Sequence, residues 1–341
     1  PELELSAEDI PADNLGLSRS KNMIGIAQTV PFPGKKHFEA RAADAEATAA
    51  DWEYSQRERE LIRDVKASFY RVLATEQKLA VSDQLVALSR SLADAERRRV
   101  AAGDAGDQEL LRAEVEEERA GTERNTVAAA LAEARQELAA LLGVTALPAL
   151  QGNLRESAEL PAADLAQHPG VRAAAAQSER ARLELNRALL DPFPDFTVSA
   201  AVGRDEATDE SLVEFRVSVP LPLFDWGLGK RREARALAEA RRYDAEAITQ
   251  RLQRQHGTQL ARCRAAQENV RAYRDRILPK AEKAAALVRT GFDAGKFGFL
   301  DLVDTQRTLT EARLAYWDKL LELNLALAEL EALAGHTTES P

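Results

Sequence analysis

Aromatic side chains are scarce in this 341-residue chain, which carries three Trp, five Tyr and ten Phe. Ordinary globular domains of that total length would each be expected to hold an aromatic-containing core. The hydrophobic fraction is nonetheless 45%, and much of it is alanine. Alanine buries little area but favours helix and close helix approach, so long packed helices suit this composition better than a thick core. One cysteine, Cys263, stands between Arg262 and Arg264, which excludes an intramolecular disulfide and a cysteine metal cluster. No run of about 18 apolar residues occurs, so no membrane-spanning helix is expected. The least charged long stretch, Leu138–Leu154, is broken by Gly143, Pro148 and Gly152. A net charge of −10 argues against nucleic acid as the main partner. No secretory signal is seen, because Pro1 leads straight into Glu2, Leu3, Glu4 and Leu5. Disorder is excluded by the periodic recurrence of apolar residues.

What is present is an internal duplication. Each copy holds two alternating segments, a Pro/Gly junction, and two long helical stretches parted by a glycine-bearing break. In the first copy Leu3, Leu5 and Ala7 alternate with Glu2, Glu4 and Ser6, followed by turn-rich residues 8–21. A second segment carries Ile24, Ile26 and Val30 and ends at Pro31-Phe32-Pro33-Gly34-Lys35. In the second copy Phe196, Val198, Ala200 and Val202 alternate with Thr197, Ser199 and Ala201, residues 203–211 are read as the turn, and Val213, Phe215, Val217 and Val219 face one way. That hairpin ends at Pro220-Leu221-Pro222, with Gly229-Lys230 as the counterpart of Gly34-Lys35. Paired prolines cannot donate to a ladder, so they stop the sheet and redirect the chain.

After each junction the pattern takes helix period. No proline interrupts residues 36–102, where Leu61, Val65, Phe69, Val72 and Leu79 recur at helical spacing, giving a helix of roughly 100 Å at about 1.5 Å per residue. Its counterpart spans 230–294, with a mild kink expected at Pro279. The breaks Gly103-Asp104-Ala105-Gly106 and Gly295-Lys296-Phe297-Gly298 align, and returning helices are expected over 108–142 and 300–334. The expected organisation is a first repeat at 1–143 (hairpin 1–33, helical hairpin 34–143), a connector at 144–170, and a second repeat at 171–341 (helix 171–191, hairpin 195–222, helical hairpin 230–335). Because Pro194, which follows a helix, corresponds to Pro1, a helix and an export signal are expected to have preceded residue 1.

Four strands cannot close a barrel, and their edges would be left unpaired. A membrane admits only helices or closed barrels. Short alternating strands joined to such long helices therefore suggest a barrel shared between copies. The fold class expected is mainly α with β-hairpins.

The duplicated unit resembles the TolC-like outer-membrane efflux family across essentially the whole chain. The resemblance rests on Gln28-Thr29-Val30-Pro31-Phe32-Pro33-Gly34-Lys35, on Pro-Asp-Phe-Thr-Val-Ser at 194–199, and on Gly295 followed by Phe299-Leu300-Asp301-Leu302 and Gln306. It implies a homotrimer with a twelve-stranded outer-membrane barrel continued by a periplasmic helical tunnel in a Gram-negative cell, contact with outer-membrane lipid, and docking onto a periplasmic adaptor and an inner-membrane pump. The Pro-Phe-Pro-Gly-Lys form is similar to members that serve heavy-metal or other cation pumps. The resemblance further implies that the tips, with Gly103, Gly106, Leu110, Gly295, Gly298 and Leu302, meet the adaptor.

Asp104, Asp107, Glu109, Asp293, Asp301 and Asp304 surround those tips and admit two readings. Repeated threefold they make acidic rings at an entrance; singly they are helix caps and solvated turn residues. Pro31, Pro33, Gly34, Pro220, Pro222 and Gly229 are expected to form the barrel-to-tunnel junction. His37, His168, His256 and His336 lack ligand spacing, so no metal site is expected. Trp52, Tyr54, Tyr316 and Trp317 are expected to pack on helices, whereas Phe224 and Trp226 suit a membrane interface or a packed linker. No cofactor is expected, and no phosphate loop, zinc-protease helix or catalytic triad is present. The alternative to a channel is a coiled-coil scaffold without channel activity.

Overall fold

The computed structural model describes residues 1–8, 20–103, 106–221 and 226–334. Its order is β1 (Glu2–Glu8), β2 (Lys21–Val30), α1 (Lys35–Ala101), α2 (Asp107–Leu142), α3 (Pro169–Ala188), β3 (Phe196–Asp205), β4 (Glu210–Ser218), α4 (Leu228–Ala272), a π-helical segment (Tyr273–Ile277), α5 (Leu278–Asp293) and α6 (Phe299–Ala334). The chain forms two compact units, Pro1–Tyr54 with Pro169–Ile248, and Ser55–His168 with Thr249–Pro341. Each takes material from both copies of the repeat.

In the first unit the strands form one antiparallel sheet in the order β1-β2-β3-β4. Leu3 pairs with Ile26, Ile26 with Ala200, and Ala200 with Phe215. The row beside it runs Leu5, Ile24, Val202, Val213. The turn between β3 and β4 is shorter than residues 203–211: Gly203 belongs to β3 and pairs with Leu212. A glycine is required there because a Cβ would overlap the Asn22 carbonyl, and Gly25 is likewise pressed on Ala201 and the Ala200 carbonyl. Beside the sheet, α3 packs on the first part of α1 through small residues, including Ala42, Ala49, Ala173 and Ala181. Arg180 bridges to Glu46 at 2.8 Å over that contact. Tyr54 is 72% exposed and not packed as the sequence suggested.

The second unit holds three apolar clusters. Val72, Ala134 and Leu138 join α1 to α2, and Leu147 and Leu150 of the connector pack on them. Cys263, Ala266 and Val270 of α4 meet Tyr316, Leu320, Leu323, Leu327 and Leu330 of α6. Ala93, Ala113 and Phe299 gather α1, α2 and α6 near the helical turns. Pro279 acts just upstream of itself: its missing N–H leaves the carbonyl four residues back without a helical donor, and the helix widens to π geometry, with the Leu278 N–H reaching the Tyr273 carbonyl.

Polar groups pin the connector to this core. Asn324, fully buried, accepts from the Arg155 N–H at 2.9 Å and donates to the Arg155 carbonyl at 3.0 Å. Tyr316 donates to Glu156 at 2.9 Å, and Arg274 of the π segment reaches the same carboxylate at 3.1 Å. Burial first, and then that bond, push the Tyr316 phenol up to about 12. Burial raises the Cys263 thiol to about 11, so it is an inert packing residue.

Candidate functional site

Three places carry the chemistry the sequence pointed to: the sheet, the strand-to-helix junction, and the helical turns.

The pleat sorts the sheet into two faces of opposite character. One bears Leu3, Leu5, Ile24, Ile26, Val198, Val202, Val213, Phe215 and Val217, all exposed, with Leu5 at 74% and Phe215 at 79%. Side chains that water rejects thus form a continuous apolar surface, far beyond the scattered apolar residues of a water-soluble surface. The other face carries Glu2, Glu4, Ser6, Thr29, Thr197, Ser199, Glu214, Arg216 and Ser218, with Gly25, Ala27 and Ala201 between them. Thr29 and Thr197 are hydrogen-bonded at 3.0 Å across the β2–β3 pair. Strands β1 and β4 are the two edges, each with a row of backbone groups left unpaired by the sheet.

At the first junction, Asp195 holds two segments together. One carboxylate oxygen accepts from the Phe32 N–H and from Lys35 Nζ, both at 2.8 Å. The Lys35 bond, followed by the Phe32 N–H, holds the Asp195 carboxyl below the usual carboxylate range. Phe32 stacks on Phe193 with ring centroids 4.7 Å apart. Gly34 has φ +97° and opens α1, its carbonyl accepting from Phe38 at 3.0 Å. The conformational counterpart in the second copy is Gly227, with φ +67° and its carbonyl accepting from Arg231 at 3.0 Å. Gly229, the residue the sequence alignment pointed to, lies inside the first turn of α4 and performs no such reversal. Pro31, Pro33 and Pro220 lie between strand and helix; Pro222 and Phe224 are outside the described residues. Trp226 is largely exposed.

At the helical turns, Gly103 and Gly295 both take the left-handed conformation, with φ +80° and +71°. After α5 the Gly295 N–H reaches the Phe292 carbonyl at 2.9 Å and the Lys296 N–H the Gly291 carbonyl at 2.7 Å, a helix-ending pair of bonds that needs a positive φ. Gly106 and Gly298 then open the returning helices: Gly106 caps α2, and the Gly298 N–H donates to Asp301 at 2.9 Å. Asp301 thus caps α6. Asp107, Asp293, Asp301 and Asp304 are exposed and Glu109 is half-buried, while Leu302 is fully buried and Leu110 partly so. Asp104 lies outside the described residues. Asp293 has Arg289 at 3.9 Å.

Sequence reasoning missed the charged ties above these turns. Arg307 of α6 makes bonds of 2.9 and 3.0 Å to both oxygens of Glu116 on α2. Arg97 of α1 reaches Asp94, Glu114 and Glu117 at 2.7–3.2 Å. Higher up, Lys78 pairs with Asp318, and buried Glu331 takes Lys66 at 2.7 Å and Arg155 at 2.8 Å. Burial alone would raise the Glu331 pKa, but the two cations outweigh it and the carboxyl titrates below its ordinary range. Arg307 and Glu116, at positions 191 apart, have no local spacing signal. Among the described residues no group of three or more His, Cys, Asp or Glu is placed to hold a metal, and no helix is long and apolar enough to cross a membrane.

The model of the outer membrane efflux protein family matches residues 1–144 and 160–336. The chain belongs to that family. It is 28% identical over 348 aligned positions to the cobalt-zinc-cadmium resistance protein CzcC of Cupriavidus metallidurans, covering 98% of this chain and 81% of the relative. Among solved structures, the open state of the Neisseria gonorrhoeae MtrE outer membrane channel superposes with a TM-score of 0.84 at 21% identity, over 98% of this chain and 80% of that one. CusC, described with transmembrane channel formation, gives 0.85 at 17% identity over 98% and 82%. This outer membrane efflux protein is thus an outer-membrane channel subunit with a periplasmic helical portion.

Proposed function

We propose that three copies of this chain join β1 and β4 edges into a closed twelve-stranded barrel, and that the assembled channel conducts divalent metal cations handed to it by a periplasmic adaptor and an inner-membrane pump. The observation that carries the channel reading is the four-stranded sheet with one apolar exposed face and two unpaired edges. Within a bilayer such edges are tolerated only when closed on one another. Four strands per copy supply a third of a twelve-stranded wall.

Metal cargo is supported by the relatedness to CzcC, a cobalt-zinc-cadmium resistance protein. The chain contributes a conduit and no tight ligand set, in keeping with conduction, which needs contacts weak enough to release the ion. The polar strand face carries Glu2, Glu4 and Glu214 against Arg216, an acidic bias suited to cations. At the helical turns, Gly103, Gly106, Gly295 and Gly298 shape the surface that meets the adaptor, and the Arg307–Glu116 pair ties the two hairpins together across the entrance. The scaffold alternative has no account of an apolar face left to water.

Deletion of the gene tests the cargo. Cells lacking the protein should become more sensitive to cobalt, zinc or cadmium, with resistance restored by the full-length gene. Unchanged metal tolerance together with sensitisation to organic drugs would reassign the cargo.

A further inference from the structure

We propose that a cavity enclosed by α1, α2 and α6 binds a small organic cation, an ammonium group carried on a single apolar ring. The channel reading stands or falls without this site.

The cavity arises where three helix faces meet without filling the space between them. Helix α1 turns Leu85, Leu88 and Leu92 toward it at helical spacing, and α6 turns Phe299, Val303 and Leu314. Helix α2 answers with Ala113, Glu116, Ala120 and Glu123, at intervals of three and four residues. The alanines are too short to reach the apolar side chains opposite, and a glutamate keeps its charge toward water instead of filling an apolar gap. A void of about 170 Å³ is left. Roughly 150 Å³ of apolar void already admits a benzene ring, so this volume suits one ring and a short chain.

The polar groups around the cavity are unevenly matched. Glu116 takes both neighbouring arginines, Arg307 at 2.9 and 3.0 Å and Arg119 at 3.1 Å. Glu123 and Glu311 also line the cavity, are exposed, and have neither an ion pair nor a side-chain hydrogen bond among the described residues. Three carboxylates against two arginines leave one negative charge in excess. Deeper in the wall, Ser89 is only 8% exposed, and its hydroxyl has no hydrogen-bond partner among the described residues. A buried hydroxyl in that state is free to serve whatever enters.

This combination selects the occupant. A divalent metal ion is refused, because among the described residues no group of three or more His, Cys, Asp or Glu is placed to hold one, and leucine walls cannot replace its water. A neutral hydrocarbon would fill the space but leave the excess charge and Ser89 unanswered. An arylalkylammonium answers all three: its ring lies against the leucines and Phe299, its charge meets Glu123 and Glu311, and Ser89 can accept from it. Such a ligand touches α1 and α2 of one helical hairpin and α6 of the other, and so reinforces the tie made by Arg307 and Glu116.

The test uses the full-length protein in lipid nanodiscs, titrated at neutral pH with phenethylammonium chloride and with uncharged phenethyl alcohol, against empty nanodiscs. The ammonium should saturate one site per chain and bind at least about tenfold more tightly than the alcohol. Glu123→Gln/Glu311→Gln should weaken the ammonium roughly tenfold and leave the alcohol unchanged, which erases the preference. Ser89→Leu, which fills the space, should abolish binding of both probes. Uptake no greater than that of empty nanodiscs overturns the proposal, as does equal binding of the ammonium by the wild type and the double glutamine variant. Because Glu123 and Glu311 are exposed, their exchange decides the matter even where Ser89→Leu impairs folding.

Discussion

Asp195 holds a strand end and a helix start with a single carboxylate oxygen, bonded to the Phe32 N–H and to Lys35. Its pKa is depressed in the folded chain, so its contribution is present above the ordinary carboxylate range, near 3.9, and is lost as pH falls through the lower folded value. Asp195→Asn should cost about 1 kcal/mol at neutral pH, allowing for solvent screening. Melting curves of both proteins in detergent should converge as pH drops below about 4; a gap independent of pH would remove the charge from the explanation. The residue itself was visible in the Pro-Asp-Phe-Thr-Val-Ser run at 194–199, but its partner Lys35 stands 160 positions away. A similarly long separation hid Asn324, whose bonds to Arg155 span 169 positions. Such side chains read as ordinary polar residues until the fold brings their partners to them. The glycine assignment at the second junction failed for a related reason. Gly-Lys matched as letters, whereas the backbone reversal falls at Gly227, where the helix begins.

Elements were far more legible than contacts, because local chemistry sets their ends. The returning helices expected at 108–142 and 300–334 are Asp107–Leu142 and Phe299–Ala334; Gly106 and Gly143 bound the first, and Asp301 caps the start of the second. Alternation placed the apolar residues of all four strands, and pairing put them on one face. What escaped was the tight contact that keeps Gly203 within β3, since a glycine near a turn reads as the turn itself. Gly203→Val would drive a side chain into the Asn22 carbonyl and part β2 from β3. Circular dichroism should show helix content retained while the assembled trimer is lost on native gel electrophoresis. Full assembly of that variant would mean the strands tolerate a wider separation than this packing allows. The π segment likewise lay beyond sequence: Pro279 signalled a disturbance, but the resulting turn, which presents Arg274 to Glu156, depends on the connector packed beside it.

At the level of the whole molecule, the scarcity of aromatics and the lack of any apolar helix long enough for a membrane acquire one cause. The helices pack through alanine and leucine, and the broad exposed apolar face belongs to the strands, as the proposed shared barrel requires. The duplication is joined at its middle: β2 of the first copy pairs with β3 of the second, so each compact unit is built from both copies. That leaves β1 and β4 as edges and an apolar face without cover, and the central claim is that copies of the chain close those edges into a pore. Single-channel recording of the purified full-length protein in a planar bilayer tests this most directly. Stable, stepwise conductance from a heat-labile trimer is the predicted result. Protein that remains monomeric in detergent and lipid, and passes no current, would contradict it.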